Sequence, residues 1–236
     1  MDQHIEPSES VIGTADACFN YTPLQPDITE FRLIELLPSH VSEPPLCRIF
    51  HASIESWRRK YTALSYVWGS DRSDQPWIYI NNHVHKVRRN LGGFLKSCRQ
   101  RHDWQFFWVD ALCIDQGNRD EKSHQVAIMK DIYESALVVY AWLGDPPWPD
   151  FNRVIGMLKT WYQSRDSLGA VECKTAVTLV RDEKLAAFID WLSEHHYFSR
   201  IWIIQELVLA RSVQLVFENS RVFMERACDL LPPDLP

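Results

Sequence analysis

The sequence predicts an α/β fold, a mainly parallel sheet flanked by helices. Three observations lead there. Four segments, YTALSYV, FFWVDALC, LVVYAWLG and SVQLVFEN, are apolar throughout rather than alternating, the pattern of strands covered on both faces. Stretches with apolar residues at three- and four-residue spacing separate them, as amphipathic helices would. The chain has 236 residues, 46% of them hydrophobic and ten of them Trp, enough for one large domain or one and a half. In such sheets ligands bind at the carboxyl ends of the strands. The candidate site residues are therefore Ser65 to Asp71, Asp110 to Asn118, and Gly144 with Asp145.

In chain order, residues 1–28 are polar, carry Pro7, Pro23 and Pro26, and read as a loosely structured lead-in. A main domain over 29–218 follows. FRLIELLPS and LCRIF read as two short strands, a β-hairpin-type addition at the front of the domain. YTALSYVWG reads as a core strand closed by Gly69. WIYINNHVHKV reads as a hairpin turning at Asn81-Asn82, since Asn tolerates left-handed backbone. Asn90 is expected to cap a helix with the stripe Leu91, Phe94, Leu95 and Cys98.

FFWVDALCI, residues 106–114, reads as a continuous strand, and Asn118 with Glu121 as a capping box. The helix they open presents Val126, Met129, Ile132, Tyr133 and Ala136, with Gln125 bonding the loop after the second core strand. LVVYAWLG is the third core strand. A less regular insertion over 145–198 holds a helix near 153–163 and a stripe of Leu185, Phe188, Ile189 and Leu192. RIWIIQELVLAR, residues 200–211, reads as a buried helix, and SVQLVFEN as the fourth core strand. Residues 219–236 read as a C-terminal helix or tail, or the start of a truncated continuation.

A net charge of −6 argues against nucleic acid or an anionic membrane as a general partner. No apolar run approaches the roughly 20 residues that span a bilayer, and MDQHIEPSES does not resemble a signal peptide. The six Cys are scattered, without CxxC or a Cys/His pairing at zinc spacing, so no metal site is expected and the thiols read as reduced. Cys113 with His124 is a weak nucleophile signal. A cytoplasmic location is the expectation. The motifs of serine hydrolases, Rossmann dehydrogenases and P-loop NTPases are absent.

YTALSYVWGS, FFWVDALCIDQGNRDEKSHQVAIMKDIYESALVVYAWLGD and RIWIIQELVLARSVQLVFEN resemble, in order and spacing, the signature blocks of the fungal heterokaryon incompatibility (HET) domain, over residues 30–218. That resemblance implies a filamentous-fungal protein of non-self recognition and programmed cell death, an innate-immunity function, with an unidentified protein partner. A more distant resemblance is to TIR domains, whose sheet is flavodoxin-like and parallel. ALSYVWGSD is similar to the first TIR strand, and SRIWIIQEL to the TIR segment in which a Trp precedes a Glu by four. The TIR glutamate is the residue required for NAD cleavage, and it falls on Glu206. The chain departs from the TIR pattern in the insertion, in Ile203 where TIR commonly has Cys, and in lacking a clear fifth strand.

The TIR resemblance makes the chain a candidate NAD+ nucleosidase, with NAD as substrate, no bound cofactor, and activation by self-association. Glu206 is its candidate catalytic residue. Ser65, Tyr66, Trp68, Gly69, Asp110, Asp115, Gln116, Trp202 and Gln205 are candidate substrate contacts. At 100° per residue Phe198, Trp202, Gln205, Glu206 and Leu209 share a face, with Ile204, Leu207 and Val208 opposite. Breaking the nicotinamide–ribose bond passes through an oxocarbenium-like state that one carboxylate can stabilise. Two readings of Glu206 remain open: that catalytic role, or a structural pairing with a buried Arg or with loop amides. Arg200 is placed either on a phosphate or on a carboxylate, and Asp110 and Asp115 either on ribose or on loop amides. The alternative for the whole domain is a non-catalytic module that transmits a death signal through protein contacts.

Overall fold

The computed structural model describes residues 19–25, 29–40, 42–69, 75–103, 105–145, 148, 151–164, 183–200, 202–218 and 220–224. Ser70 and Asp71, part of the first candidate loop, lie outside them, as do most of the lead-in, the middle of the insertion and the last twelve residues.

The elements follow the order β1 (Glu30–Leu37), β2 (Leu46–Ser53), α1 (Ile54–Trp57), β3 (Thr62–Tyr66), β4 (Trp77–Ile80), β5 (His83–Lys86), α2 (Arg89–Gln100), β6 (Phe106–Trp108) and α3 (Asp110–Cys113). Then come α4 (Arg119–Ser135), β7 (Val138–Gly144), α5 (Phe151–Ser164), α6 (Glu183–Glu194), a 3-10 turn (His196–Ser199), α7 (Ile203–Val208), β8 (Val213–Phe217) and β9 (Ser220–Met224). One nine-stranded sheet runs β5-β4-β2-β1-β6-β3-β7-β8-β9.

The four segments that are apolar throughout lie side by side as β6-β3-β7-β8, and every pairing among them is parallel. The expectation of a mainly parallel sheet nevertheless fails for the whole. β1 pairs antiparallel with β2 and with β6, β4 with β5 and β8 with β9, so the sheet is mixed. Parallel neighbours need a crossover of a dozen residues or more. The links β4–β5 and β8–β9 are far too short for one and close hairpins. Asn81 and Asn82 turn the first of them with φ of 49° and 66°, as their residue type suggested. β9 takes up residues 220–224 of the segment read as a C-terminal helix or tail, and residues 225–236 lie outside the described residues.

Helices cover both faces because neighbouring strand residues point to opposite sides. On one side Trp142 of β7 and Phe107 of β6 meet Phe94 of α2 edge-on, at ring centroids of 5.6 and 5.4 Å. On the other, Trp108 meets Tyr133 of α4 at 5.3 Å, and the Tyr133 hydroxyl donates to the Leu64 carbonyl. Each such side chain contributes about 1.5–3 kcal/mol by burial, so the parallel block is the energetic centre of the fold.

Several local expectations are corrected. FFWVDALCI is a strand only to Trp108; Asp110 then opens α3, since a short apolar run does not distinguish strand from helix. Asn90 does not cap α2, whose N-cap is Arg88 without a side-chain bond. Its amide instead donates to the Val67 carbonyl at 2.6 Å and accepts from Trp142 Nε1 at 2.8 Å, pinning the end of β3 to β7. Asn118 caps α4 through the amides of Asp120 and Glu121, but Glu121 does not return the bond. It turns to the buried Arg32 at 2.6 and 2.9 Å and accepts from the Asp115 amide.

Val126 and Ile189 are exposed, while Gln125 is buried and donates to the Glu30 carbonyl at the start of β1 rather than to the β6 loop. The buried helix expected over 200–211 shrinks to the six residues of α7. No helix among the described residues is long and apolar enough to cross a membrane.

Candidate functional site

Glu206 is buried, 2% exposed, together with Ile203 and Leu207, whereas Trp202 and Val208 are half exposed and Gln205 is exposed. The face assignment is thereby corrected: Glu206 turns inward with the apolar residues, and Gln205 turns out. The reason lies across the core. Arg200 presents Nη1 to Glu206 Oε2 at 3.1 Å and Nη2 to Oε1 at 2.9 Å. Ser65, buried in the middle of the parallel block, donates to Oε2, and its Oγ lies 2.5 Å from the Tyr197 hydroxyl. Three donors thus hold the carboxylate, the condition under which a buried charge is tolerated. Burial works against the Arg200 charge, but the Glu206 carboxylate outweighs it and the guanidinium's pKa is raised.

The Glu206 pair forms one wall of a cleft of about 460 Å³. Trp68 and Gly69 reach it from the end of β3, Asp110, Ile114 and Gln116 from the end of β6, Met129 from α4, and Trp202 from the front of α7. Of the candidate residues, Trp68, Gly69, Asp110, Gln116, Trp202 and Glu206 line this one cleft at the carboxyl ends of the strands. Trp68 is fixed by its Nε1–H, which donates to Asp110 Oδ2 at 2.8 Å, while the Ala111 amide donates to Oδ1 at 2.7 Å. These bonds match the loop reading of Asp110: it closes its own loop and orders the loop after β3. Burial, more than the opposing bonds from Trp68 and Ala111, pushes the Asp110 pKa up to about 6. The side-chain oxygen of Gln116 is buried without a partner among the described residues, while its amide donates to the Asp110 carbonyl.

Other candidates do not reach the cleft. Ser65 lies beneath it, bonded to Glu206. Tyr66 is buried. Asp115 accepts from the Gly117 amide at 3.0 Å in its own turn, and Gln205 is not among the lining residues. Tyr197 and Lys122 were missed. Tyr197 sits in the irregular stretch before α7, where no periodicity marks it, and Lys122 is one charge among many on an exposed helix face. Cys113 is buried, its thiol pKa pushed up to about 12 by burial, which does not suit a nucleophile. Among the described residues no group of His, Cys, Asp and Glu could hold a metal ion.

The molecule is thus an α/β domain with a parallel central block and an aromatic-walled cleft at its strand ends. Residues 61–206 match the Heterokaryon incompatibility protein (HET) family, a match that begins at Tyr61 and closes on Glu206, and the chain belongs to that family. It is 32% identical over 222 residues to heterokaryon incompatibility protein 6, OR allele, of Neurospora crassa, a match covering 77% of this chain and 32% of that protein. It is 30% identical over 165 residues to vegetative incompatibility protein HET-E-1 of Podospora anserina, covering 69% of this chain and 10% of that one. The chain thus spans a third or less of the length of these relatives. No solved structure matches it.

Proposed function

We propose that this chain is a module of fungal non-self recognition that binds NAD in the Glu206 cleft, cleaves its nicotinamide–ribose bond, and so drives cell death. The observation that carries the reading is the placing of Glu206, Trp68 and Trp202 around one cleft at the strand ends. An indole wall suits a flat ring, and a cleft of about 460 Å³ falls in the range of about 300–1,000 Å³ typical of small-molecule sites. The four-strand order β6-β3-β7-β8 is that of a flavodoxin-like sheet up to its fourth strand, which favours the TIR comparison.

In this mechanism the C–N bond breaks with its electron pair leaving on nicotinamide. The carboxylate of Glu206 stabilises the ribosyl cation. Water then adds to the anomeric carbon and releases a proton. Ser65 and Arg200 already occupy Glu206, so ribose hydroxyls have to take over the place of one of them.

That occupancy favours a second reading, a non-catalytic assembly module in which Arg200–Glu206 is structural and the exposed face of Trp202 and Val208 makes protein contacts. Incubating concentrated protein with NAD and following nicotinamide release separates the two. Cleavage by the wild type that disappears in Glu206→Gln, with a folded variant, is the expected result. No cleavage at any protein concentration, together with loss of killing in Trp202→Ala, would instead favour assembly.

A further inference from the structure

A larger cleft lies on the other side of Trp68. It measures about 970 Å³ and sits where the strand order reverses. From β3 the chain crosses through α2 to β6, then back through α4 to β7 on the opposite side of β3. The crossovers from β3 to β6 and from β6 to β7 therefore run in opposite directions along the sheet, and open α/β sheets bind ligands at such a point. Both strand ends carry a glycine with positive φ, Gly69 at 75° and Gly144 at 80°, and among the described residues nothing lies within 4 Å of where either would carry a Cβ. The backbone there is open to close approach.

We infer that this cleft is a second ligand site and that it takes a nucleoside diphosphate. Arg89 and Lys96, two turns apart on α2, both line it. Both are exposed, and neither forms a side-chain ion pair or hydrogen bond among the described residues. Two cations on one wall, unengaged among the described residues, suit a pyrophosphate. Trp77, 49% exposed, offers indole surface for a base, with the buried Trp142 at the floor of the cleft. Asp145 just past β7 gives the cleft a carboxylate for ribose hydroxyls, and Glu43 and Glu218 add acceptors. A cleft with cations, carboxylates and indoles excludes a plain anion or an apolar ligand as its best occupant. It matches a molecule with a charged end, a diol and a flat ring.

Because Trp68 and Gly69 belong to both clefts, this site deepens the reading above by holding the half of a dinucleotide that Glu206 does not touch. It does not depend on cleavage, since ADP alone is the probe. Calorimetric titration of the full chain with ADP is expected to show binding, and adenosine should bind at least about tenfold more weakly, since hydrogen bonds to charged groups are worth that much. The double substitution Arg89→Glu with Lys96→Glu should weaken ADP by tenfold or more without changing the melting temperature. Glu206→Gln should leave ADP binding unchanged. A wild type that does not bind ADP overturns the site. So does a charge-reversed variant that binds it as well as wild type, or a loss confined to Glu206→Gln, which would put ADP in the smaller cleft. A chain that binds ADP through Arg89 and Lys96 but never cleaves NAD would defeat the catalytic reading and leave this one standing.

Discussion

Arg200→Ala tests the electrostatics of the site most directly. Arg200 supplies two hydrogen bonds to Glu206, at 3.1 and 2.9 Å, and its removal leaves the carboxylate with the Ser65 hydroxyl. Breaking a buried pair by deleting one partner costs about 3–5 kcal/mol, because the remaining charge has lost its compensation. The Arg200 side chain is 20% exposed and the Glu206 side chain 2%, so water entering from the cleft recovers a fraction of that. The lower end, about 3 kcal/mol, is expected. For a chain of this size each kcal/mol shifts the melting temperature by about 2–4 °C, so a loss of about 6–12 °C follows.

The double variant Arg200→Ala with Glu206→Gln removes the stranded charge as well. It should melt above Arg200→Ala alone, with a coupling on the order of 2 kcal/mol. Calorimetric melting of wild type, both single variants and the double variant completes the cycle. An Arg200→Ala protein that melts within about 1 °C of wild type, or a double variant no better than Arg200→Ala, would refute the claim that Glu206 depends on this pair.

Asp110 and the glycines of α2 give two further tests. The folded-state pKa of Asp110, about 6, lies above the unfolded value, so the folded protein binds the proton more tightly. That contribution is present in full below about pH 4 and is lost as pH rises through 6. Wild type should accordingly gain on the order of 2 kcal/mol relative to Asp110→Asn between pH 7 and pH 4, read as the difference in their melting temperatures. In α2, a Cβ on Gly92 would clash with the Pro76 ring, whereas one on Gly93 meets Trp142 Cζ2 at an ordinary 3.8 Å. Gly92→Ala should destabilise by about 1–3 kcal/mol from overpacking against a rigid ring, while Gly93→Ala should be neutral or gain up to about 1 kcal/mol of helix propensity. Urea midpoints that rank the two the other way would contradict the packing.

The sequence by itself determined where the strands of the parallel block lie, because burial on both faces leaves mostly apolar runs, but not where β6 ends, since the run on to Ile114 reads alike as strand or helix. It determined the Asn81-Asn82 hairpin, because only a few residue types tolerate left-handed backbone. The signature blocks marked the family, and Glu206 stood out because a carboxylate inside an apolar run has to be paired or used. What the carboxylate meets was beyond local reading. Arg200 and Ser65 reach it from a loop and a strand, Tyr197 of the 3-10 turn bonds Ser65 in turn, and their meeting depends on chain closure rather than on any period. The same holds for Asn90, which looks like a helix cap and serves as a brace between β3 and β7. It holds too for Gln205 and Glu206, adjacent in sequence, of which the helix turns one to water and the other to a guanidinium. The antiparallel margins of the sheet, and the larger cleft at the ends of β3 and β7, also follow from strand order. Strand order is set by which apolar faces find each other across the whole chain, and no window of ten residues contains that information.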